Sequence, residues 1–175
     1  MVKKPCIYVE EIDSPIGMLT IACHHDGLCS IEFGSLQEAA VPLQSWAKKH
    51  MMHNELKKDQ DYTGEAARQL TEYFNGERQT FDLPLCLKGT PFQIKVWRAL
   101  REIGYGETKS YKDIAQAIGN PKAVRAVGSA NNSNPLPIVI PCHRVIGSSG
   151  SLVGYGGGLD KKVTLLDHEK MIMKS

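Results

Sequence analysis

The segment Pro141-Cys142-His143-Arg144-Val145 is the part of the chain best suited to chemistry. It combines a thiol, an imidazole and a guanidinium group, and the apolar run 138–140 precedes it. A thiol attacks other molecules as a thiolate, and a neighbouring imidazole and cationic side chain lower its pKa. A lone cysteine is more often a small buried apolar residue. The presence of His143 and Arg144 makes Cys142 the candidate nucleophile.

The order of Cys142 and His143 predicts an indirect proton route. Adjacent residues in an extended segment point to opposite sides, so the imidazole is badly placed to contact the thiol, and a bridging water is the expected route. Glu169 falls on the apolar stripe of the last helix, where a buried carboxylate needs a partner. His143 is the natural partner, and a structural salt bridge with an arginine is the alternative.

Two further segments place polar groups near this cysteine. Asn134 precedes a proline in the stretch that leads to Cys142, where its amide can hold two backbone segments or serve as an ordinary turn residue. Glycines at 147, 150, 154 and 156–158 surround Tyr155, and such a backbone can approach a flat ligand closely. The lysine pattern of a phosphate-binding loop is absent there. We expect the Tyr155 hydroxyl to be a donor to this ligand.

Three helices are predicted around these residues in the second half of the chain. Thr90-Pro91 starts a core helix, Ser110 with Asp113 as its capping partner starts a second that ends at Gly119, and Asn120-Pro121 starts a third. A helix, a tight glycine-containing turn and another helix form the helix-turn-helix pattern.

The third predicted helix has an unusually small outer face. Ala123 and Ala126 flank Arg125, and residues 128–130 are also small. Small side chains suggest close approach to a nucleic acid groove without sequence readout, with Arg125 able to insert into the base stack or bind a phosphate. The alternative is an alanine-rich helix packed on its neighbours.

The first half reads as a small sheet followed by helices. Strands are predicted at 9–13, 18–24 and 28–33 in an antiparallel meander, followed by a helix at 35–50 interrupted by Pro42, a loop at 50–63 and a helix at 64–76. The expected fold class is α/β, in the α+β sense, with a three-stranded antiparallel sheet and helices in a domain at 1–85. A helical, winged-helix-like domain is expected at 86–175, with a linker at 82–89.

The charge distribution suggests the partner. The net charge of +2 combines about −5 on residues 1–85 with about +7 on residues 86–175. A cationic half favours a polyanion such as nucleic acid, although a scattered solvated surface is the alternative. No apolar run approaches the roughly 20 residues of a membrane span, and five cysteines without disulfide-framework spacing suit a reducing compartment. We expect a soluble, intracellular protein with no membrane partner.

Several of these segments carry a specific family resemblance. They are Ser110-Tyr111, residues 119–128, Asn134-Pro135, residues 140–146 and Gly157-Gly158-Leu159, with looser matches at 13–17 and 73–76. Together they resemble the O6-alkylguanine-DNA alkyltransferase family, also called methylated-DNA-protein-cysteine methyltransferases. The resemblance is highly specific from Thr90 to Glu169 and looser in the first half.

The resemblance implies a DNA repair enzyme that acts once. Its partner would be double-stranded DNA containing O6-alkylguanine, from which the damaged base is flipped out through the minor groove. The Cys142 thiolate would take the alkyl group, while His143, oriented by Glu169, takes the thiol proton through water. The thioether product is not hydrolysed, so each molecule reacts once. A monomer without a cofactor is expected, in the nucleus or, for a bacterial source, the cytoplasm.

The resemblance also implies contacts to DNA and to the flipped base. Arg125 would fill the vacated stack, and Tyr111 would press on the 3′ phosphate while its hydroxyl meets guanine N3. The carbonyls of Cys142 and Val145 would accept from the exocyclic amine, and the Tyr155 hydroxyl and Gly156 amide would face O6. Family members often have Ser at the position of Gly156. Other positions assigned to DNA or base binding are Lys112, Asn120, Ala123, Ala126 and Ser148.

Other functions and a metal site stay open at this point. A non-catalytic helix-turn-helix DNA-binding protein explains the basic half but not Cys142, and a cysteine hydrolase leaves the helix-turn-helix unused. Some family members hold a structural zinc in the first half. The spacing of the potential donors matches no compact zinc finger, so no metal is expected. These donors are Cys6, Cys23, His24, His25, Cys29 and Cys86.

Overall fold

The computed structural model describes residues 6–50 and 52–174. The chain forms two compact units, of which the first ends at Lys88 and the second begins at Gly89. Among the described helices, none combines the length and the apolar character that crossing a membrane would require.

The first unit is built on a sheet of four strands in the order β3-β2-β1-β4. The strands are β1 (Ile7–Ile12), β2 (Leu19–His24), β3 (Gly27–Phe33) and β4 (Leu56–Lys57). The antiparallel meander of β1, β2 and β3 is confirmed, but a three-stranded sheet is wrong, because β4 pairs in parallel with β1. A strand of two residues is too short to show an alternating pattern.

The Asp26-Gly27 turn between β2 and β3 brings a distant segment onto the sheet. Gly27 has a φ of 138°, and a Cβ there would collide with the Pro84 carbonyl. The N–H of Leu28 donates to Pro84 O at 2.8 Å, and the N–H of Cys86 donates to Leu28 O at 2.8 Å. Part of the predicted linker therefore runs along β3 and is hydrogen-bonded to it.

Helix α1 (Leu36–Lys49) runs through Pro42 without a break. Ser35 and Glu38 form a capping box at its start, and Ala39, Leu43 and Ala47 are buried on one face. The predicted interruption at Pro42 is wrong, because this packed apolar face offsets the missing N–H of the proline.

Helix α2 (Gln60–Phe74) begins within the segment that the sequence predicts to be a loop. Asp59 caps it by accepting from the N–H of Asp61 at 3.0 Å. The first turn is polar, so the apolar periodicity that marks the helix starts only later.

The buried face of α1 packs with the sheet in one apolar cluster, whose buried members are Ile7, Val9, Ala22, Cys29, Ala39, Leu43, Ala47 and Cys86.

The second unit holds four helices, a 3₁₀ turn and a two-stranded parallel sheet. They are α3 (Pro91–Leu100), β5 (Lys109–Ser110), α4 (Tyr111–Ala117), α5 (Val124–Asn132), the 3₁₀ turn Cys142–Arg144, β6 (Val145–Ile146) and α6 (Leu159–Met173). The predicted caps are present, because Thr90 pairs with Gln93 and Ser110 with Asp113 in capping boxes. Trp97 of α3 donates from Nε1 to Ala130 O at 2.8 Å and so fixes α5 on α3.

Two predictions for this unit are wrong in local detail. Helix α5 begins at Val124, because residues 120–123 form a separate turn in which the N–H of Ala123 donates to Asn120 O at 3.0 Å. The segment that carries Cys142 is a 3₁₀ turn and not an extended strand, since the N–H of Arg144 donates to Pro141 O at 3.0 Å. Cys142 and His143 therefore do not lie on opposite faces of a strand.

Candidate active site

The segment before Cys142 is held in an unusual, fully buried conformation. Ile138 has a φ of 76°, which is rare for a β-branched residue because its side chain crowds the backbone there. The N–H of Cys142 donates to Ile140 O at 2.7 Å, and the cysteine is 4% exposed. This tight backbone fixes the thiol at the start of the 3₁₀ turn.

Asn134 ties this segment together through both ends of its amide. Its Nδ2 donates to Ile140 O at 2.8 Å, and its Oδ1 accepts from the N–H of Leu136 at 2.9 Å. The side chain also hydrogen-bonds to the Cys142 thiol, which lowers the thiol's pKa. Asn134 therefore contacts both the nucleophile and the backbone that presents it.

The Cys142 thiol is protonated at rest. Burial raises its pKa to about 11, against the opposing effects of the Asn134 amide, the charge of Lys162 and nearby backbone N–H groups. The expectation that flanking His143 and Arg144 lower this pKa below its ordinary value is wrong, because desolvation of the thiolate outweighs every stabilising contact.

His143 and Arg144 both bind the carboxylate of Glu169. His143 Nε2 lies 2.6 Å from Glu169 Oε2, and Arg144 donates from Nε to Oε1 at 2.9 Å and from Nη2 to Oε2 at 3.0 Å. The N–H of Gly106 donates a fourth bond to this carboxylate, to Oε1 at 3.1 Å. The structure thus combines the two partners that the sequence offered for Glu169 as alternatives.

The other imidazole nitrogen faces a different environment. Among the described residues, none hydrogen-bonds to Nδ1 of His143, although the ring is 0% exposed. Burial lowers the pKa of His143, and Glu169 opposes that shift. Burial acts to raise the pKa of Glu169, but the bonds from His143 and Arg144 outweigh it and hold the pKa below its usual range. The carboxylate is therefore ionised beside a neutral imidazole.

The glycine-rich segment lies beside the cysteine and the end of α5. A Cβ at Gly156 would lie 3.4 Å from Asn132 O, and the Tyr111 hydroxyl donates to Val153 O at 2.8 Å. Tyr155 is half-buried. Burial and the neighbouring Cys142 both raise the pKa of its hydroxyl, so the hydroxyl stays protonated.

The remaining predicted DNA- and base-binding positions are distributed over α4, α5, the turn between them, β6 and the 147–150 turn. The exposed ones are Lys112, Asn120, Arg125, Ala126 and Ser148, whereas Ala123 is half-buried and Val145 is buried. On the exposed side of α5, Ala126 and Ser129 are small, whereas Val124, Arg125 and Asn132 are longer. Val145 contributes through its backbone carbonyl, which already accepts from Lys162 Nζ at 2.5 Å.

Known families match both units of this chain. The domain described as "6-O-methylguanine DNA methyltransferase, ribonuclease-like domain" matches residues 7–87, and its "DNA binding domain" matches residues 91–171. The constitutive methylated-DNA-protein-cysteine methyltransferase of Bacillus subtilis is 48% identical over 95% of this chain and 98% of its own. This chain belongs to the O6-alkylguanine-DNA alkyltransferase family. The methyltransferase of Methanosarcina barkeri is 46% identical over 94% of this chain and 98% of its own.

Solved alkyltransferase structures share the fold. The Mycobacterium tuberculosis O6-methylguanine methyltransferase superposes with a TM-score of 0.80 at 46% identity, over 94% of this chain and 93% of that one. A structure of Mycobacterium tuberculosis OGT in complex with DNA gives a TM-score of 0.80 at 44% identity, over 94% of each chain. The family and the mixed α and β fold that the sequence predicts are therefore confirmed.

Lys162 is a site residue of this alkyltransferase that the sequence analysis missed. Its side chain is 0% exposed, and Nζ donates to Val145 O at 2.5 Å, Val153 O at 3.0 Å and Gly154 O at 3.2 Å. Burial lowers its pKa, and Cys142 opposes that shift. A signal was available, because Lys162 precedes Glu169 by two helical turns and so lies on the same face of α6.

The described residues of the first unit bring three potential metal ligands together. Among the described residues, His24, Asp26 and Cys86 form one group whose ligand atoms lie within 4.8 Å of one another. A structural zinc site uses four ligands. This group offers three, and the Cys29 thiol donates to Ala22 O at 3.3 Å. The absence of a metal stays a prediction, which metal analysis of the dialysed protein checks.

Proposed function

We propose that this chain repairs DNA by transferring the alkyl group of an O6-alkylguanine in double-stranded DNA to the thiol of Cys142. The observation that carries the proposal is a buried thiol on the same turn as an imidazole that a carboxylate orients, with His143 Nε2 2.6 Å from Glu169 Oε2. Family membership supports the same reaction, because the relatives are named for alkyl transfer from DNA to cysteine.

The reaction is a substitution at the alkyl carbon. Sulfur forms a bond to carbon, the bond from carbon to O6 breaks, and the electron pair of that bond stays on the guanine. The Tyr155 hydroxyl donates to O6 as charge develops there. The attack requires a thiolate, so the thiol proton is the one proton that must be removed before the bond to the alkyl carbon forms.

His143 takes the thiol proton through a bridging water. Its Nε2 is engaged by Glu169, so Nδ1 is the nitrogen that remains to accept a proton. The ionised Glu169 stabilises the imidazolium that forms. Burial raises the pKa of Cys142 to about 11 and lowers the pKa of His143, so the transfer is unfavourable in the resting protein and depends on the charge of Glu169. The thioether that forms resists hydrolysis, so each molecule acts once.

The second unit supplies the proposed DNA contacts. Helices α4 and α5 act as a helix-turn-helix in the minor groove, where the small face at Ala123 and Ala126 permits close approach. Arg125 fills the space left by the flipped base, and Tyr111 bears on the 3′ phosphate. Lys112, Asn120 and Ser148 contact the DNA backbone, and the Gly156 amide contacts the base.

The proposal also includes domains at 1–85 and 86–175 and a monomeric protein. Its proposed location is the nucleus or, in a bacterium, the cytoplasm.

A methyl-transfer assay tests this proposal directly. The protein is incubated with a duplex oligonucleotide that contains O6-methylguanine, and the intact mass and the mass of the Cys142 peptide are measured. We expect one methyl group per chain, on Cys142. Cys142→Ser should bind the duplex without reacting, whereas Cys86→Ser, which removes another buried thiol, should still react.

The same assay separates the alternatives. Binding to the duplex by folded protein without a methyl adduct would favour a non-catalytic helix-turn-helix protein. An adduct on another cysteine would reject the assigned nucleophile. Repeated turnover by one chain would reject single-use chemistry and favour a hydrolytic mechanism.

A further inference from the structure

Asn131 is a buried polar residue beside the cysteine to which the proposed reaction gives no role. It lies at the end of α5 and is 1% exposed. Its Nδ2 lies 3.5 Å from the carbonyl oxygen of Cys142, which orients the amide. In the described part of the chain, its Oδ1 is buried and accepts no hydrogen bond. An unpaired buried acceptor is costly, so its persistence calls for an explanation.

The surroundings of Asn131 are those of the proposed base pocket. The next residue, Asn132, borders the glycine-rich segment, since its carbonyl would lie 3.4 Å from a Cβ at Gly156. The Cys142 carbonyl, which Asn131 contacts, belongs to the nucleophile itself. Asn131 therefore lies where the cysteine turn and the end of α5 meet, and α5 in turn borders the glycine-rich segment.

Guanine presents a group that needs acceptors at this place. Its exocyclic amine carries two N–H donors, for which the family resemblance assigns the carbonyls of Cys142 and Val145. In this chain the Val145 carbonyl already accepts from the Lys162 ammonium at 2.5 Å. The Cys142 carbonyl already accepts from the N–H of Val145 and lies 3.5 Å from Asn131 Nδ2. Because each carbonyl oxygen has two lone pairs and both carbonyls are already engaged within the chain, a further acceptor beside them would favour the amine.

We propose that Asn131 Oδ1 accepts a hydrogen bond from the 2-amino group of the flipped guanine and so makes the reaction depend on that group. The inference rests on the proposed function and deepens it, because it assigns a specificity-determining residue to the base pocket. The amide Nδ2 holds the Cys142 carbonyl while Oδ1 faces the amine, so one side chain arranges both acceptors. A purine without a 2-amino group leaves Oδ1 unpaired in the complex and reacts more slowly.

Two duplexes test the inference. One contains O6-methylguanine, and the other contains O6-methylhypoxanthine, which lacks only the 2-amino group, at the same position. We expect the wild-type protein to react at least about tenfold faster with the first, because a site built for an amine disfavours its absence. Asn131→Leu, which removes the acceptor at similar volume, should lower this preference about fivefold to tenfold, mainly by slowing the reaction with O6-methylguanine.

Matched variants separate the acceptor from a structural role. Asn131→Asp keeps an acceptor and should retain the preference even though its charge slows both reactions. Asn132→Leu makes the same change at the exposed neighbour and should leave the preference at its wild-type value. Thermal unfolding should show Asn131→Leu to be at least as stable as the wild type, because it removes an unpaired buried acceptor. Asn131→Ala is a second acceptor-free variant if the leucine variant does not fold.

The possible results divide clearly. Equal wild-type rates on the two duplexes, or an unchanged preference in an acceptor-free variant that folds, would overturn the role of Asn131 and leave alkyl transfer intact. Failure of the wild type to methylate Cys142 with either duplex would instead reject the proposed function, and the role of Asn131 with it.

Discussion

Glu169 joins three separate parts of the second unit at one carboxylate. It binds His143 and Arg144 of the 3₁₀ turn and the N–H of Gly106, while it is itself carried by α6. Arg144 continues the network by donating from Nη1 to Ile103 O at 2.7 Å. The carboxylate therefore positions the proton acceptor and also neutralises a buried guanidinium.

Glu169→Gln should destabilise the protein by about 3–5 kcal/mol at neutral pH, because it leaves Arg144 buried without a counter-charge. The pKa of Glu169 is lower in the folded chain than its ordinary 4.5, so its stabilisation is complete above that pH and is lost as the pH falls through the acid range. The difference between variant and wild type should therefore shrink in acid. Urea unfolding at neutral pH and below pH 4.5 measures both effects.

Asp167→Asn is the matched control for this change. It also neutralises a carboxylate on α6, but on an exposed side chain, and should alter the free energy of unfolding by less than about 0.5 kcal/mol. A difference for Glu169→Gln that does not vary with pH would contradict the role assigned to the ionised carboxylate.

Lys162→Met should raise the pKa of Cys142 further, because the Lys162 charge is among the influences that lower it. The pH at which iodoacetamide labels Cys142 in the free protein would then move upward relative to the wild type, as peptide mass spectrometry can measure. Lys170→Met, on an exposed position of the same helix, should not move it. A labelling profile unchanged by Lys162→Met would show that this ammonium acts on the backbone alone.

The chemistry of the site was only partly predictable from the residues. Glu169 could be assigned to His143, because helical spacing placed it on a buried face and a buried carboxylate needs a partner. The direction of the pKa shift of Cys142 could not be predicted, because that prediction rested on the residues next to it in the sequence. Folding turned the side chains of His143 and Arg144 toward Glu169 and brought Lys162 near the thiol, while burial decided the direction of the shift.

At the scale of elements, α5 combines a packed side with an exposed side on which Ala126 is small. Val127 and Ala130 are buried, and Trp97 bonds to the Ala130 carbonyl, so the helix is fixed on α3. On the outside, Ala126 is exposed and short, and Arg125 projects beside it. Under the proposed function, the small surface sets how closely the helix approaches the minor groove.

Ala126→Leu should therefore weaken binding to duplex DNA and slow methyl transfer from it, because the longer side chain holds α5 away from the groove. Transfer from the free base O6-methylguanine should fall much less, since that substrate does not require the groove. Anisotropy titration and intact mass measure the two quantities. Thr71→Leu, at an exposed position of α2, is the control. An equal loss of methyl transfer from the duplex and from the free base would contradict a role of Ala126 in the approach to DNA.

Elements were predictable where their signals are local. The start of α3 was identified from Thr90 followed by Pro91, and the start of α4 from Ser110 and Asp113, three positions apart in a capping box. The start of α2 was missed because Asp59 caps a turn without apolar residues. The two-residue strand β4 was missed because its pairing with β1 depends on a contact between distant parts of the chain.

At the scale of the whole molecule, charge is divided between the two halves of the chain. Residues 86–175 carry a net charge of about +7 and residues 1–85 about −5. Several of the basic side chains that make up this excess, such as Lys112 and Arg125, are exposed on α4 and α5. The basic half is thus also the half that holds the cysteine and the proposed groove-binding helix.

DNA affinity should therefore fall steeply with salt concentration, with a linear dependence of the logarithm of the binding constant on that of the salt concentration. Lys112→Ala should reduce this slope by about one, if its ammonium contacts one phosphate. Lys48→Ala, at an exposed position of α1, should leave the slope unchanged. Anisotropy titrations with undamaged duplex at several salt concentrations measure the slopes, and an affinity independent of salt would contradict an electrostatic interface.

The burial of Cys142 also determines how long an unreacted molecule lasts. Because burial raises its pKa to about 11, the thiol is protonated at neutral pH. Peroxides and other cellular oxidants attack the ionised form, and the protein covers all but 4% of this residue. Burial therefore slows the oxidation of a residue that, under the proposed function, each chain uses only once.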